Sequence, residues 1–121
     1  HTFGHAFEAE TRYGPHLNHG EAVSIGMVMA AELSTELGFL NRQDFGRIVA
    51  HFKNVGLPIA LPRIADIDWN AEKLLAHMRQ DKKISGGQIL LILMKEIGEA
   101  FTTRDIPEAE ILSLLKQKIQ E

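Results

Sequence analysis

The sequence predicts a mainly α fold of about five helices with one short β-hairpin. Three observations predict it. Apolar residues recur at three- and four-residue intervals in several separate stretches, the period of an amphipathic helix. Glycine and proline fall between those stretches far more than inside them. One region alone, from Ile89 to Thr103, places two short segments rich in apolar and β-branched residues on either side of Gly98, the layout of paired strands.

From the N-terminus, His1 to about Thr11 suits a short helix, with His1, His5 and Glu8 on one face and Phe3 and Phe7 on another. Tyr13-Gly14-Pro15 ends it, because Pro15 biases Gly14 away from helical dihedrals. A polar loop through Asn18 leads to His19-Gly20-Glu21. A long helix is expected from about Glu21 to Leu37, its stripe of Ala22, Ile25, Met29 and Leu33 widened by Val23, Met27 and Ala30. A helix apolar on most sides belongs at the centre of its bundle. Gly26 inside it costs about 1 kcal/mol relative to alanine, which points to close packing of a neighbour or a ligand. Gly38 supplies the stop.

A third helix is predicted over roughly Arg42 to Asn54, with Phe45, Ile48, Val49 and Phe52 as its core face. After a connection marked by Gly56, Pro58 and Pro62, Asp68 or Asn70 can cap a fourth helix carrying Leu74, Leu75 and Met78 to about Gln80. The stretch from Asp81 to Gly87 reads as a loop. Ile89 to Met94 and Glu99 to Thr103 then read as strands, although the first apolar run alone leaves helix open. Pro107 suits the first turn of a last helix carrying Ile111, Leu114, Leu115 and Ile119. No internal repeat, low-complexity tract or dividing linker appears.

At 121 residues and 45% hydrophobic, the chain suits one domain with its own core. It has no cysteine, which excludes disulfides, thiolate metal sites and cysteine nucleophiles and gives no reason to expect an extracellular protein; a cytoplasmic location is expected. A net charge of -3 offers no broad attraction to nucleic acid or anionic membrane. The longest oily stretch, Ala22 to Leu33, is too short for a bilayer span, and no basic region precedes it as in a signal peptide. The chain opens as HTFGHAF, without an initiator methionine and already inside its densest polar cluster. Termini fray unless something ties them down, so a piece of a longer protein is expected.

Neutral imidazole is the commonest nitrogen ligand for zinc-like ions, and two on adjacent turns can converge on one ion. His1 and His5 have that spacing, and His19 can return to them across the intervening loop. All three can bind metal, or two can grip it while the third serves a proton or a substrate. Spacing alone equally allows solvated or core-satisfied histidines, and the His-Glu-x-x-His order of zinc proteases is absent. Glu8 can serve as a carboxylate that fixes an imidazole tautomer, or as a surface charge. Glu21 reads as a structural group at a helix N-terminus. His16 reads as a loop residue, and His51 and His77 as structural or surface groups. Arg79, Lys82 and Lys83, followed by Ser85 and two glycines, make either a phosphate-binding turn or a solvated basic one. Neither a dinucleotide fingerprint nor a Walker loop is present.

Four segments in order, HTFGHAFE, HGEAVSIGMVMAAELS, MRQDKKISGG and ILLILMKEIGEAF, together resemble the C-terminal half of the 3-dehydroquinate synthase family. The resemblance runs from His1 to about Phe101, and the last helix also fits. It implies the helical C-terminal domain of a dehydroquinate synthase-like fold over residues 1–121, with an NAD-binding Rossmann-like domain upstream and the active site between the two. It implies His1 and His19 as metal ligands, completed by an upstream glutamate, and His5 as a histidine facing substrate. A lysine of the DKK motif, Lys82 or Lys83, would reach the substrate phosphate; the motif does not choose between them. The implied cofactors are NAD and a divalent metal, zinc or cobalt. The implied partners are a sugar-phosphate substrate, the upstream domain and a second copy in a homodimer, with no nucleic acid and no membrane. The implied reaction turns 3-deoxy-D-arabino-heptulosonate 7-phosphate into 3-dehydroquinate and phosphate in the shikimate route to aromatic amino acids; this chain alone should be inactive. Another sugar-phosphate cyclase of the same fold and a non-enzymatic helical metal-binding module are the competing readings.

Overall fold

A computed structural model describes residues 2–12, 16–64, 67–84 and 88–120, the last turn of the fourth helix (81–84) through its backbone. The order is α1 (Thr2–Glu10), α2 (His19–Glu36), α3 (Arg42–Asn54), α4 (Ala71–Ile84), β1 (Leu91–Glu96), β2 (Glu99–Thr103) and α5 (Glu108–Gln120). Among the described residues, five helices and one antiparallel hairpin agree with the predicted class. The expected break at Tyr13-Gly14-Pro15 and the turn at Ser85-Gly86-Gly87 lie outside the described residues.

Helix α2 is the hub: it packs against α1, α3, β1 and α5, as its wide apolar surface requires. It starts two residues earlier than predicted, at His19, because Asn18 caps it. The Asn18 side chain accepts from Glu21 N at 2.8 Å, and Glu21 Oε1 accepts from Asn18 N at 3.0 Å. This reciprocal capping box satisfies two otherwise orphaned donors and gives Glu21 the structural role expected of it. At the other end Gly38 takes φ +85, and Phe39 N donates to Ser34 O at 2.8 Å. That left-handed closure is open to glycine at little cost.

Phe3, Phe7, Ile25, Met29 and Leu33 from α1 and α2 meet Leu74, Leu75 and Met78 of α4 and Ile111, Leu114 and Leu115 of α5 in one buried core. Strand β1 contributes Leu91 and Leu93 while Ile92 between them stays exposed, the two-residue alternation of a half-covered strand. Leu93 pairs with Phe101 across the hairpin, and Gly98 at φ +91 makes its turn. Met94 N donates to Ser34 Oγ at 3.0 Å, pinning the strand to α2.

Two expectations need correction. Residues 81–84, read as loop, continue α4 to Ile84; aspartate, lysine and isoleucine all tolerate a helix, and no breaker stands before Gly86. Asn70 is the cap, its Oδ1 accepting from Lys73 N at 3.0 Å. Helix α3 spans its predicted residues but buries none of them fully. Phe45, Ile48, Val49 and Phe52 are half-buried, because α3 packs chiefly against α2 alone.

Near the end of α2, Glu36 ionises less readily than an ordinary carboxyl: burial and the neighbouring Glu32 raise its pKa against the pull of Lys118 and Arg42. A carboxyl whose pKa is higher folded than unfolded favours folding in acid, and that contribution fades as pH rises through the folded value. Glu36→Gln should therefore raise Tm at about pH 7, with the difference closing by about pH 4. A wider difference at the lower pH would contradict it.

Candidate functional site

Helices α1 and α2 cross at two glycines. A β-carbon on Gly4 would stand 3.1 Å from Ala22 O, and one on Gly26 would stand 3.1 Å from Gly4 N. The neighbour anticipated at Gly26 is thus the backbone of α1. Moving along α1 from Gly4 to Glu8, the facing residue on α2 moves back from Gly26 and Ala22 to His19, so the helices run antiparallel. Their close approach carries Glu8 to the start of α2.

There His19 Nδ1 lies 3.2 Å from both Oε1 and Oε2 of Glu8. The Glu8 side chain is 12% exposed and that of His19 61%. A carboxylate accepts only, so Nδ1 is the protonated nitrogen when the ring is neutral, and Nε2 carries the lone pair. The capping box fixes the backbone of His19, and Glu8 fixes the ring. A carboxylate behind an imidazole is the usual support of a histidine metal ligand, raising its basicity and setting its orientation. Donor chemistry at His19 therefore fits a divalent ion.

The other predicted site residues fall as follows. His5 is exposed on α1, three residues before Glu8. His1 lies outside the described residues. Lys82 and Lys83 sit in the last turn of α4, and their side chains lie outside the described residues. Among the described residues no group of three histidine, cysteine, aspartate or glutamate side chains forms a metal cluster. His51 is exposed on α3, as expected of a surface group.

One pair escaped sequence reasoning. His77 Nε2 lies 3.0 Å from Glu10 Oε2, joining α4 to the end of α1 across 67 residues of sequence. No local pattern announces a contact between segments so distant. The Asn18–Glu21 box did leave a local signal, a capping residue three positions before a glutamate.

These elements define a class: a helical domain with a two-strand hairpin in the dehydroquinate synthase-like fold. Residues 1–84 match the 3-dehydroquinate synthase C-terminal family, and the chain belongs to that family. It is 46% identical over 120 residues to the 3-dehydroquinate synthase of Rhodospirillum rubrum, covering 98% of this chain and 31% of that protein. Against the protein of that name from Rhizobium meliloti the identity is 44%, covering 98% and 32%. The chain thus spans about a third of the length of the curated relatives it matches. Among solved structures it resembles 2-epi-5-epi-valiolone synthase from Streptomyces hygroscopicus, which has NAD+ and Zn2+ bound. There the TM-score is 0.78 at 28% identity, over 98% of this chain and 32% of that one. A 2-deoxy-scyllo-inosose synthase with carbaglucose-6-phosphate, NAD+ and Co2+ gives TM-score 0.77 over 98% and 33%; at 19% identity it attests the fold alone. Among the described residues, no helix is long and apolar enough to cross a membrane.

Proposed function

We propose that this chain is the metal- and substrate-binding part of a 3-dehydroquinate synthase, acting on 3-deoxy-D-arabino-heptulosonate 7-phosphate. The 46% identity to a protein of that name over nearly the whole chain carries the choice. In the overall reaction the C5 alcohol is transiently oxidised, phosphate is eliminated, the ketone is reduced back and an intramolecular aldol step closes the ring. When bound, NAD supplies the recycled hydride carrier and a divalent ion, zinc or cobalt, supplies a Lewis acid that orients substrate hydroxyls.

This chain's own residues bind and orient. His19, held by Glu8, and His1 would hold the ion together with a carboxylate from another domain. His5 would face the substrate, and Lys82 or Lys83 would hold its phosphate, where a mobile ammonium suits a charged oxygen. Helix α1, which carries His5 and Glu8, packs against α4, which carries the two lysines. An apolar groove of about 610 Å³ beside Thr2, with Met27 53% and Ile92 57% exposed at its edge, supports a further domain packing here. The proposal extends to a cytoplasmic homodimer of the whole enzyme.

A chimaera tests it: this chain replaces the matching third of the Rhodospirillum rubrum synthase, and phosphate release is followed with the heptulosonate phosphate and with other sugar phosphates. Turnover with the first is expected. Turnover only with another sugar phosphate would make the chain part of a different cyclase, and no turnover despite tight metal binding would favour a non-enzymatic metal module. The 121-residue chain alone should bind metal weakly and release no phosphate, and measurable turnover from it would overturn that expectation.

A further inference from the structure

We propose that the His77–Glu10 contact is a positioning clamp, setting the lysine-bearing end of α4 against the histidine-bearing helix α1 and thereby the affinity for the substrate phosphate. It rests on the functional reading above. His77 Nε2 and Glu10 Oε2 are 3.0 Å apart, with side chains 33% and 16% exposed. Glu10 is the last residue of α1, and α1 has no basic residue in its last turn. A carboxylate at the negative end of a helix dipole is unfavourable by itself, and a histidine donor brought to it offsets that cost. Glu10 is thus a group the local sequence does not need and the tertiary contact uses.

Much of the α1–α4 contact among the described residues is apolar, with Phe7 edge-on to Trp69 just before α4 and Leu74, Leu75 and Met78 in the shared core. Apolar packing is less directional than a hydrogen-bonded polar pair, which adds a preference for one axial register. On α4, His77 precedes Lys82 and Lys83 by about 8 Å of helix rise, so fixing His77 fixes where those lysines start. On α1, Glu10 is two residues beyond Glu8, the support of His19. The clamp therefore spans from the candidate metal end of the site to its candidate phosphate end. Arg12 and Lys73 line the same cleft, the charged groups around the pair.

Two measurements test it. In the chimaera, His77→Ala should raise KM for the sugar phosphate about tenfold while kcat falls less. His77→Gln, whose amide can still donate to Glu10, should recover most of that loss. An unchanged KM, or His77→Gln as impaired as His77→Ala, would overturn the clamp. The second readout needs no turnover. This chain has no native cysteine. In the chimaera, with any cysteine of the other portion replaced by serine, spin labels at Glu36→Cys on α2 and Gln80→Cys on α4 report their separation by pulsed electron paramagnetic resonance. The narrow distribution expected of the unaltered pair should broaden or shift in His77→Ala and in Glu10→Ala, and narrow again in His77→Gln. Distributions unaffected by His77→Ala and Glu10→Ala would overturn the proposal. Should the unaltered chimaera be inactive on sugar phosphates, the functional reading fails, and this distance measurement alone decides the clamp.

Discussion

His19→Ala in the chimaera is expected to lower kcat/KM by about a thousandfold and to remove stoichiometric bound metal. A Lewis acid contributes several kcal/mol to stabilising developing charge, and each 1.4 kcal/mol or so is tenfold in rate. Truncating its neighbour should act through the ring. Glu8→Ala removes one restraint on the orientation and tautomer of the imidazole, so metal affinity should fall about 10- to 100-fold, read by competition with a chelator. Glu8→Gln should lie between, since its amide oxygen still accepts from Nδ1 at 3.2 Å or so without the charge. The order Glu, Gln, Ala tests the carboxylate's role. Equal affinities across the three would leave Glu8 a surface charge. Thermal unfolding of each variant separates this from loss of fold, since His19 is mostly exposed and its truncation opens no cavity.

Gly26→Val is expected to destabilise the chain by roughly 2 kcal/mol or more, read as a lower urea midpoint with an unchanged slope. A β-carbon there already stands 3.1 Å from Gly4 N and 3.5 Å from Phe3 Cβ. The first of those neighbours is helix backbone, which cannot swing aside as a side chain would. Two further methyl groups must push α1 away from α2. Gly26→Ala is the informative partner, because a gain in helix propensity of about 1 kcal/mol opposes the same close contact. It should be far milder than valine. Displacing α1 also carries Glu8 away from His19, so Gly26→Val should weaken metal binding in the chimaera beyond what its stability loss explains. A valine variant as stable as the parent would show that the crossing is looser than the two glycines indicate.

Much of the fold was legible in the sequence. The helix at about Arg42 to Asn54 was legible because Phe45, Ile48, Val49 and Phe52 keep a clear 3.6-residue period that ends before Gly56. The hairpin was legible from the short segments flanking Gly98. Less legible was the end of α4, where Asp81, Lys82 and Lys83 carry a loop-like polarity that a solvent-facing helix turn equally accepts. The start of α2 was missed by two residues because His19 and Gly20 are poor helix formers by themselves, and the Asn18–Glu21 box overrides their propensity. Of the candidate site, residue types and order were legible, and the resemblance gave them roles. Their partners are not: the sequence allows Glu8 to be a support or a surface charge, and only the fold sets its carboxylate against His19.

What the sequence determined by itself is therefore the set of elements and the chemistry they carry. Periodicity, caps and turn glycines act within a few residues, so their signals are complete in a short window of sequence. Only the tertiary structure decided which groups meet. Gly4 and Gly26 set how closely α1 and α2 approach, that approach brings Glu8 to His19, and the packing of α4 brings His77 to Glu10. The half-burial of α3 was settled the same way, by how few neighbours its apolar face meets. Contacts between segments tens of residues apart depend on the crossing geometry of whole helices, and that geometry is a property of the assembled core rather than of any one stretch of chain.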